Sequence, residues 1–114
     1  MSERMEMNAP NGKFVKRVLY RGLQGEDVRW LQEQLDELNQ AYKFCPVKSL
    51  QASGYYGDNT AKFVKFFQIW TDLLPDAFYE RLTHKALERT YQNYIAELGA
   101  GLYNSTVASK PLYR

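Results

Sequence analysis

Few residues of this chain have side chains suited to covalent chemistry. Cys45 is the single cysteine and His84 the single histidine, so one thiol–imidazole pair is the most that nucleophilic catalysis could draw on. No orienting third group is evident for such a dyad. Cys45 precedes Pro46 and reads as a small packed residue. His84 falls just after the expected helix cap and reads as part of an exposed polar face. Asp72 and Asp76, four apart, have the residue type for acid and base, yet Leu73, Leu74 and Pro75 between them read as a loop packed on the core. No Ser-x-x-Lys, Gly-x-Ser-x-Gly or phosphate-loop pattern occurs. A lone cysteine excludes an intramolecular disulfide and a cysteine-cluster metal site, and no metal set surrounds His84. The expectation is no catalytic residue, no metal and no cofactor.

Binding chemistry is better supplied. Tyr55, Tyr56, Asp58 and Asn59 fall within five residues, Phe78 and Tyr79 follow in a second connection, and Trp70 lies between. Aromatic faces suit the C–H surfaces of sugars, and fixed polar groups suit their hydroxyls. If both connections lie on one side of the molecule, these seven side chains form a shallow groove. The alternative makes Tyr56 and Phe78 plugs beneath the loops and leaves only Tyr55 and Tyr79 exposed. Lys62 and Lys65 are the nearest approach to a basic stripe and read as a solvated face. Fifteen basic against thirteen acidic side chains give a net charge of +2, too weak a field to argue for nucleic acid.

Three helices must position these groups. Val28, Leu31, Leu35 and Leu38 recur at spacings of 3, 4 and 3, which predicts a first helix from about Gly25 to Asn39. Glu26 and Asp27 occupy its first turn, where the helix dipole favours carboxylates. A second helix is expected from about Thr60 to Trp70, with Asn59 or Thr60 as N-cap. Val64 and Phe67 mark its inner face, with Phe63 beside them. Phe66, Ile69 and Trp70 point elsewhere, so this helix is either central or turns one face to a partner. A third helix is expected from His84 to Leu98, capped by Thr83, with Ala86, Leu87, Tyr91, Tyr94, Ile95 and Leu98 as its stripe. Gly99 follows as a C-terminal stop. The connections, Gln40 to Asn59 and Thr71 to Leu82, are long for a small bundle, and ordered loops of that length tend to carry function.

Two segments share a plan. Gly22-x-x-Gly25 precedes Val28, Leu31 and Gln32, and Gly54-x-x-Gly57 precedes Thr60, Val64, Phe67 and Gln68. Each Gln sits at the edge of a buried stripe, where its amide can satisfy loop backbone groups. Direct contact with a ligand is the other reading.

The 114 residues, 45% of them hydrophobic, suffice for one soluble domain with short arms. The division reads as an N-terminal arm over 1–17, a domain over 18–98 and a tail over 99–114. The arms keep Phe14, Tyr103 and Tyr113 close to the domain, either packed back on it or docked into another protein. No apolar run reaches the length of a signal peptide or a membrane span, so the expectation is cytoplasmic synthesis and no membrane partner.

The stretch Gly22-Leu23-Gln24-Gly25-Glu26-Asp27-Val28-Arg29-Trp30-Leu31-Gln32-Glu33-Gln34-Leu35 resembles the opening of the peptidoglycan-binding domain found in many cell-wall hydrolases. Gly54-Tyr55-Tyr56-Gly57-Asp58-Asn59-Thr60 resembles that family's Gly-x-aromatic-Gly-x-x-Thr turn. Val64 and Phe67-Gln68 match the helix after it, and Leu73, Asp76, Thr83 and Ala86-Leu87 fall in step with its close. The departures are Ser53 for Asp before the first turn, Ala77 and Glu80 for glycines in the second, and Phe63 for a small residue. The first connection is also longer than usual. The resemblance covers about residues 21 to 88. It implies an all-α, three-helix bundle with long ordered connections, binding bacterial peptidoglycan without cutting it, at the cell wall. The alternative is a structural docking subunit of a bacteriophage tail or related injection machine, acting in a virion and touching other proteins through its arms. That alternative rests on context: a free-standing domain, no export signal and an arm at each end.

Overall fold

The computed structural model describes residues 17–100 and the short segments 7–8 and 14–15. It is all-α apart from a two-residue antiparallel ladder. β1 (Met7–Asn8) pairs with β2 (Phe14–Val15), Met7 opposite Val15 and Asn8 opposite Phe14. The rest of the expected N-terminal arm, and the tail beyond Ala100, lie outside the described residues. The helices are α1 (Glu26–Tyr42), α2 (Asp58–Trp70) and α3 (Arg81–Ala100). Among the described residues no helix is long and apolar enough to cross a membrane.

Each helix differs from expectation at its ends, for a local reason. α1 runs three residues past Asn39 and stops where Lys43 turns left-handed, at φ 55°. It starts at Gly25 (φ 152°), where a Cβ would lie 2.9 Å from Asp27 Oδ1 and 3.0 Å from Arg17 Nη2. Only glycine admits both that backbone and the Arg17–Asp27 ion pair, at 2.9 Å, that closes over the turn. α2 starts two residues early. Gly57 is its N-cap, without a side-chain cap bond, so neither Asn59 nor Thr60 caps it. α3 starts three residues early, which places Thr83 inside the helix instead of capping it. Gly99 does not stop α3. A glycine ends a helix by turning left-handed, and Gly99 is not among the positive-φ residues.

The core is one cluster in which Trp30, Leu31, Leu35, Tyr56, Phe63, Phe67, Tyr79 and Leu87 are almost wholly buried. Contacts along the helices fix their sense. Trp30 meets His84 near the start of α1 and α3, and Tyr42 meets Tyr94 and Glu97 further along. Gln32 meets Thr60, and Tyr42 meets Trp70. Both neighbours therefore run in the same sense as α1. Helices of like sense cannot be joined by tight hairpins, so the long connections follow from the topology. Each must carry the chain back along the bundle.

Both connections are held by α-helical side chains. Asn39 accepts from Cys45 N at 2.8 Å and donates to Val47 O at 3.0 Å. Gln40 donates to Lys48 O at 3.0 Å, and Asp36 accepts from Leu50 N at 2.8 Å. The returning chain then pairs with the segment before α1. Gly22 N donates to Tyr56 O, Tyr56 N to Leu23 O, and Gly25 N to Gly54 O, at 2.8–2.9 Å. Leu19 and Tyr79 exchange both backbone bonds at 3.0 and 2.8 Å. The lead-in turns of all three helices thus gather at one end of the molecule.

Candidate functional site

Two buried glutamines build that end. Gln32 accepts from Gly54 N at 2.8 Å and donates to Tyr55 O at 2.8 Å and Thr60 Oγ1 at 2.9 Å. Gln68 accepts from Ala77 N at 3.0 Å and donates to Phe78 O and Thr83 Oγ1, both at 3.0 Å. The two sets are superimposable in sequence: an N–H, the next residue's carbonyl, and a threonine six residues after the N–H. Both amides hold loops, and neither is free for a ligand. The echo between the first two lead-in turns therefore has a third copy, Ala77 to Thr83. Its signal was Thr83, which stands six residues after Ala77 as Thr60 does after Gly54.

The same pairing decides which aromatic rings face outward. Backbones bridged like strands alternate their side chains. Leu19 points in and Tyr20 out; Tyr55 out and Tyr56 in; Phe78 out and Tyr79 in. Of the seven expected binding residues, Tyr55, Asp58 and Asn59 come together around a cleft of about 290 Å³, with Gln51 and Ser53. Phe78 lines a second cleft, of about 440 Å³, with Tyr20, Arg21, Ala61, Lys65 and Pro75. Arg21 reaches across to Asp58 at 2.8 Å and links the two.

Tyr56 and Tyr79 are withdrawn, at 0% and 1% exposure, and present no face to a ligand. The reading that buries Phe78 and exposes Tyr79 is inverted by the alternation. The Tyr56 hydroxyl donates to Ala77 O at 2.6 Å, and the Tyr79 hydroxyl shares a 2.7 Å hydrogen bond with His84 Nδ1. Trp70 sits at the far end of α2, ~18 Å along its axis from Asp58. Its ring stacks on Phe44 at 5.5 Å and lies 5.2 Å from Tyr42, so it packs the opposite end of the bundle. Sequence reasoning passed over Tyr20 and Arg21, noted Ser53 only as a departure from the family pattern, and treated Lys65 as a solvated face.

His84 is 3% exposed, between Trp30 and Tyr79. The expected exposed polar face is corrected: His84 lies about one turn into α3, on the face that packs against Trp30 and Tyr79. Cys45 is buried beside Asn39, lining a different cleft with Lys43, Pro46 and Lys48. Burial pushes its thiol above the ordinary value, partly offset by a backbone hydrogen bond at Val47 and the charge of Lys62. A thiol so shifted stays protonated at neutral pH.

Tyr55 and Phe78 thus stand on neighbouring clefts above glutamine-held turns, in the order of the family pattern. A family model described as "Putative peptidoglycan binding domain" matches residues 24–87, more than half of the chain. The chain belongs to the peptidoglycan-binding domain family. No curated protein and no solved structure matches it. The match runs from the turn before α1 through the first third of α3, and so takes in both glutamines and both loops.

The departures of this peptidoglycan-binding domain from the family pattern have local explanations. Ser53 does the work of the usual Asp. Its Oγ accepts from Tyr55 N at 3.1 Å, as Asp76 Oδ1 accepts from Phe78 N at 2.9 Å. Phe63 is fully buried, edge-on to Phe44 at 6.4 Å, and Phe44 is brought there by the lengthened first connection. Ala77 occupies a glycine position at φ 66°, a backbone that costs an L-residue roughly 1–2 kcal/mol. Ala77→Gly relieves that strain while loosening the unfolded chain. The net expectation is a gain of about 0.5–1 kcal/mol, or a melting temperature higher by roughly 2–8 °C. Thermal denaturation followed by circular dichroism checks it, and a lower melting temperature would contradict the strain.

Proposed function

We propose that this domain binds bacterial peptidoglycan without cleaving it, through the end of the bundle where its lead-in turns meet. The observation that carries the reading is the pair of outward aromatic side chains, Tyr55 at 51% and Phe78 at 45% exposure. They stand on adjoining clefts with fixed polar neighbours. Exposed rings on a rigid support offer apolar faces to sugars and short peptides at low entropic cost. Gln32 and Gln68 supply the rigidity, because the backbone on which each ring stands is hydrogen-bonded from inside. The peptidoglycan-binding family is consistent with action at the cell wall. The docking reading, in a tail or injection machine, draws on the terminal arms, which lie largely outside the described residues.

Co-sedimentation with purified murein tests the proposal. The intact protein should pellet with it. Tyr55→Ala and Phe78→Ala should each weaken binding by roughly three- to tenfold, the worth of one aromatic contact, with the helical circular dichroism unchanged. Trp70→Phe, at the far end, should bind as the parent does. Equal binding by the folded Tyr55 and Phe78 variants would remove this surface from consideration.

A further inference from the structure

The two clefts differ in chemistry. Around Tyr55 the lining is hydroxyl and amide, from Ser53, Gln51, Asn59 and Thr60, with one carboxylate, Asp58, and no cation. Around Phe78 it is aromatic and cationic. The Tyr20 and Phe78 rings pair at 5.5 Å, tilted by 36°, and Arg21 and Lys65 stand beside them. Asp76 is the one acid in that lining. Its Oδ1 is turned into the loop by Gln68 Nε2 at 3.1 Å and Phe78 N at 2.9 Å, which hold the charge in place and leave the lining with two cations against one carboxylate. Arg21 is engaged by Asp58. Lys65 is exposed and makes no salt bridge with a described residue.

Peptidoglycan presents two kinds of surface. Its glycan is uncharged and rich in hydroxyls, whereas its peptide stems carry carboxylates beside short aliphatic groups. We propose that the Tyr20–Phe78 cleft takes a carboxylate-bearing peptide stem, with Lys65 as its cationic contact. The aromatic pair lies against the aliphatic groups of the stem, and the Tyr55 cleft is left to the sugar. This assignment rests on the peptidoglycan reading above and divides its surface into two subsites. Charge complementarity carries it. A cation beside a ring pair suits an anionic, partly apolar group, whereas a neutral sugar could use Lys65 only as a hydrogen-bond donor, without the charge pairing.

The test sediments the parent protein and Lys65→Gln with purified murein, and with the same murein after its carboxylates have been converted to amides. The parent should bind the amidated murein about fivefold more weakly, the most that one exposed ion pair contributes. Lys65→Gln should bind intact murein about fivefold more weakly than the parent and should not distinguish the two forms. Lys65→Arg should restore the parent's preference. Glutamine is a good helix former at this exposed helical position, so the variant should fold. A parent that binds both mureins equally overturns the stem assignment and leaves the function standing, as does a Lys65→Gln variant that still discriminates. A parent that sediments with neither overturns both.

Discussion

Gln68→Leu should lower the unfolding free energy by about 4 kcal/mol, a large part of the total for a domain of this size. The side chain is 1% exposed, and leucine fills a similar volume, so little of the effect is a cavity. What is lost is bonding. Ala77 N, Phe78 O and Thr83 Oγ1 each lose a partner inside the protein. An unsatisfied buried polar group costs about 1–3 kcal/mol, and water reaches these poorly. Gln68→Glu makes the sharper comparison. A carboxylate still accepts from Ala77 N but cannot donate to Phe78 O or Thr83, so it should be nearly as damaging at neutral pH. Gln32→Leu should behave alike, through Gly54, Tyr55 and Thr60. Urea titration reads all three. A loss under about 1 kcal/mol for Gln68→Leu would mean that the loop keeps its shape without the amide.

The second large effect is alkaline. Burial is the main cause that pushes the Tyr56 and Tyr79 hydroxyls well above the ordinary tyrosine value of 10.0, with Asp76 and Glu88 adding repulsion of the phenolate. In the unfolded chain both ionise near pH 10, whereas the folded chain keeps both protons. Above that pH the unfolded state binds fewer protons, so stability falls as pH rises. The contribution is fully present below pH 10 and is lost towards the folded values. Two such groups give a slope of up to roughly 2.7 kcal/mol per pH unit. Unfolding free energies measured between pH 9 and 12 should bend downward near pH 10. Tyr79→Phe should halve the slope, although it also leaves His84 without its 2.7 Å partner and so should lower stability at neutral pH. A flat profile to pH 12 would sink the assignment of two buried neutral phenols.

Much of this molecule was readable from residue order because the deciding interactions are short-ranged. The 3, 4, 3 spacing of Val28, Leu31, Leu35 and Leu38 marks α1, since the helical period is a local property of the backbone. Gln32 and Gln68, each directly after a buried apolar residue, announced amides placed to hold loops, and both do so. The ordered set from Gly22 to Leu87 placed the family. Helix ends were less legible. Gly57 and Lys43 end or start their helices through backbone angles, and Gly99 fails to end α3 for the same reason; residue type alone leaves those angles open.

The surface was decided by the tertiary fold. Whether Phe78 or Tyr79 faces out depends on alternation, and alternation exists there only because Leu19, from a distant segment, bridges Tyr79. His84 turns inward because its face of α3 packs between Trp30, from α1, and Tyr79. Trp70 leaves the expected groove because it closes α2, ~18 Å along the helix axis from Asp58. Local sequence determined three helices, the buried stripes of the first two and the two glutamines that stiffen the loops, whereas in α3 the expected stripe is buried at Ala86 and Leu87 but exposed at Ile95 and Leu98. Long-range backbone pairing decided which rings those loops present, because an unpaired strand has no inside or outside until its partner arrives.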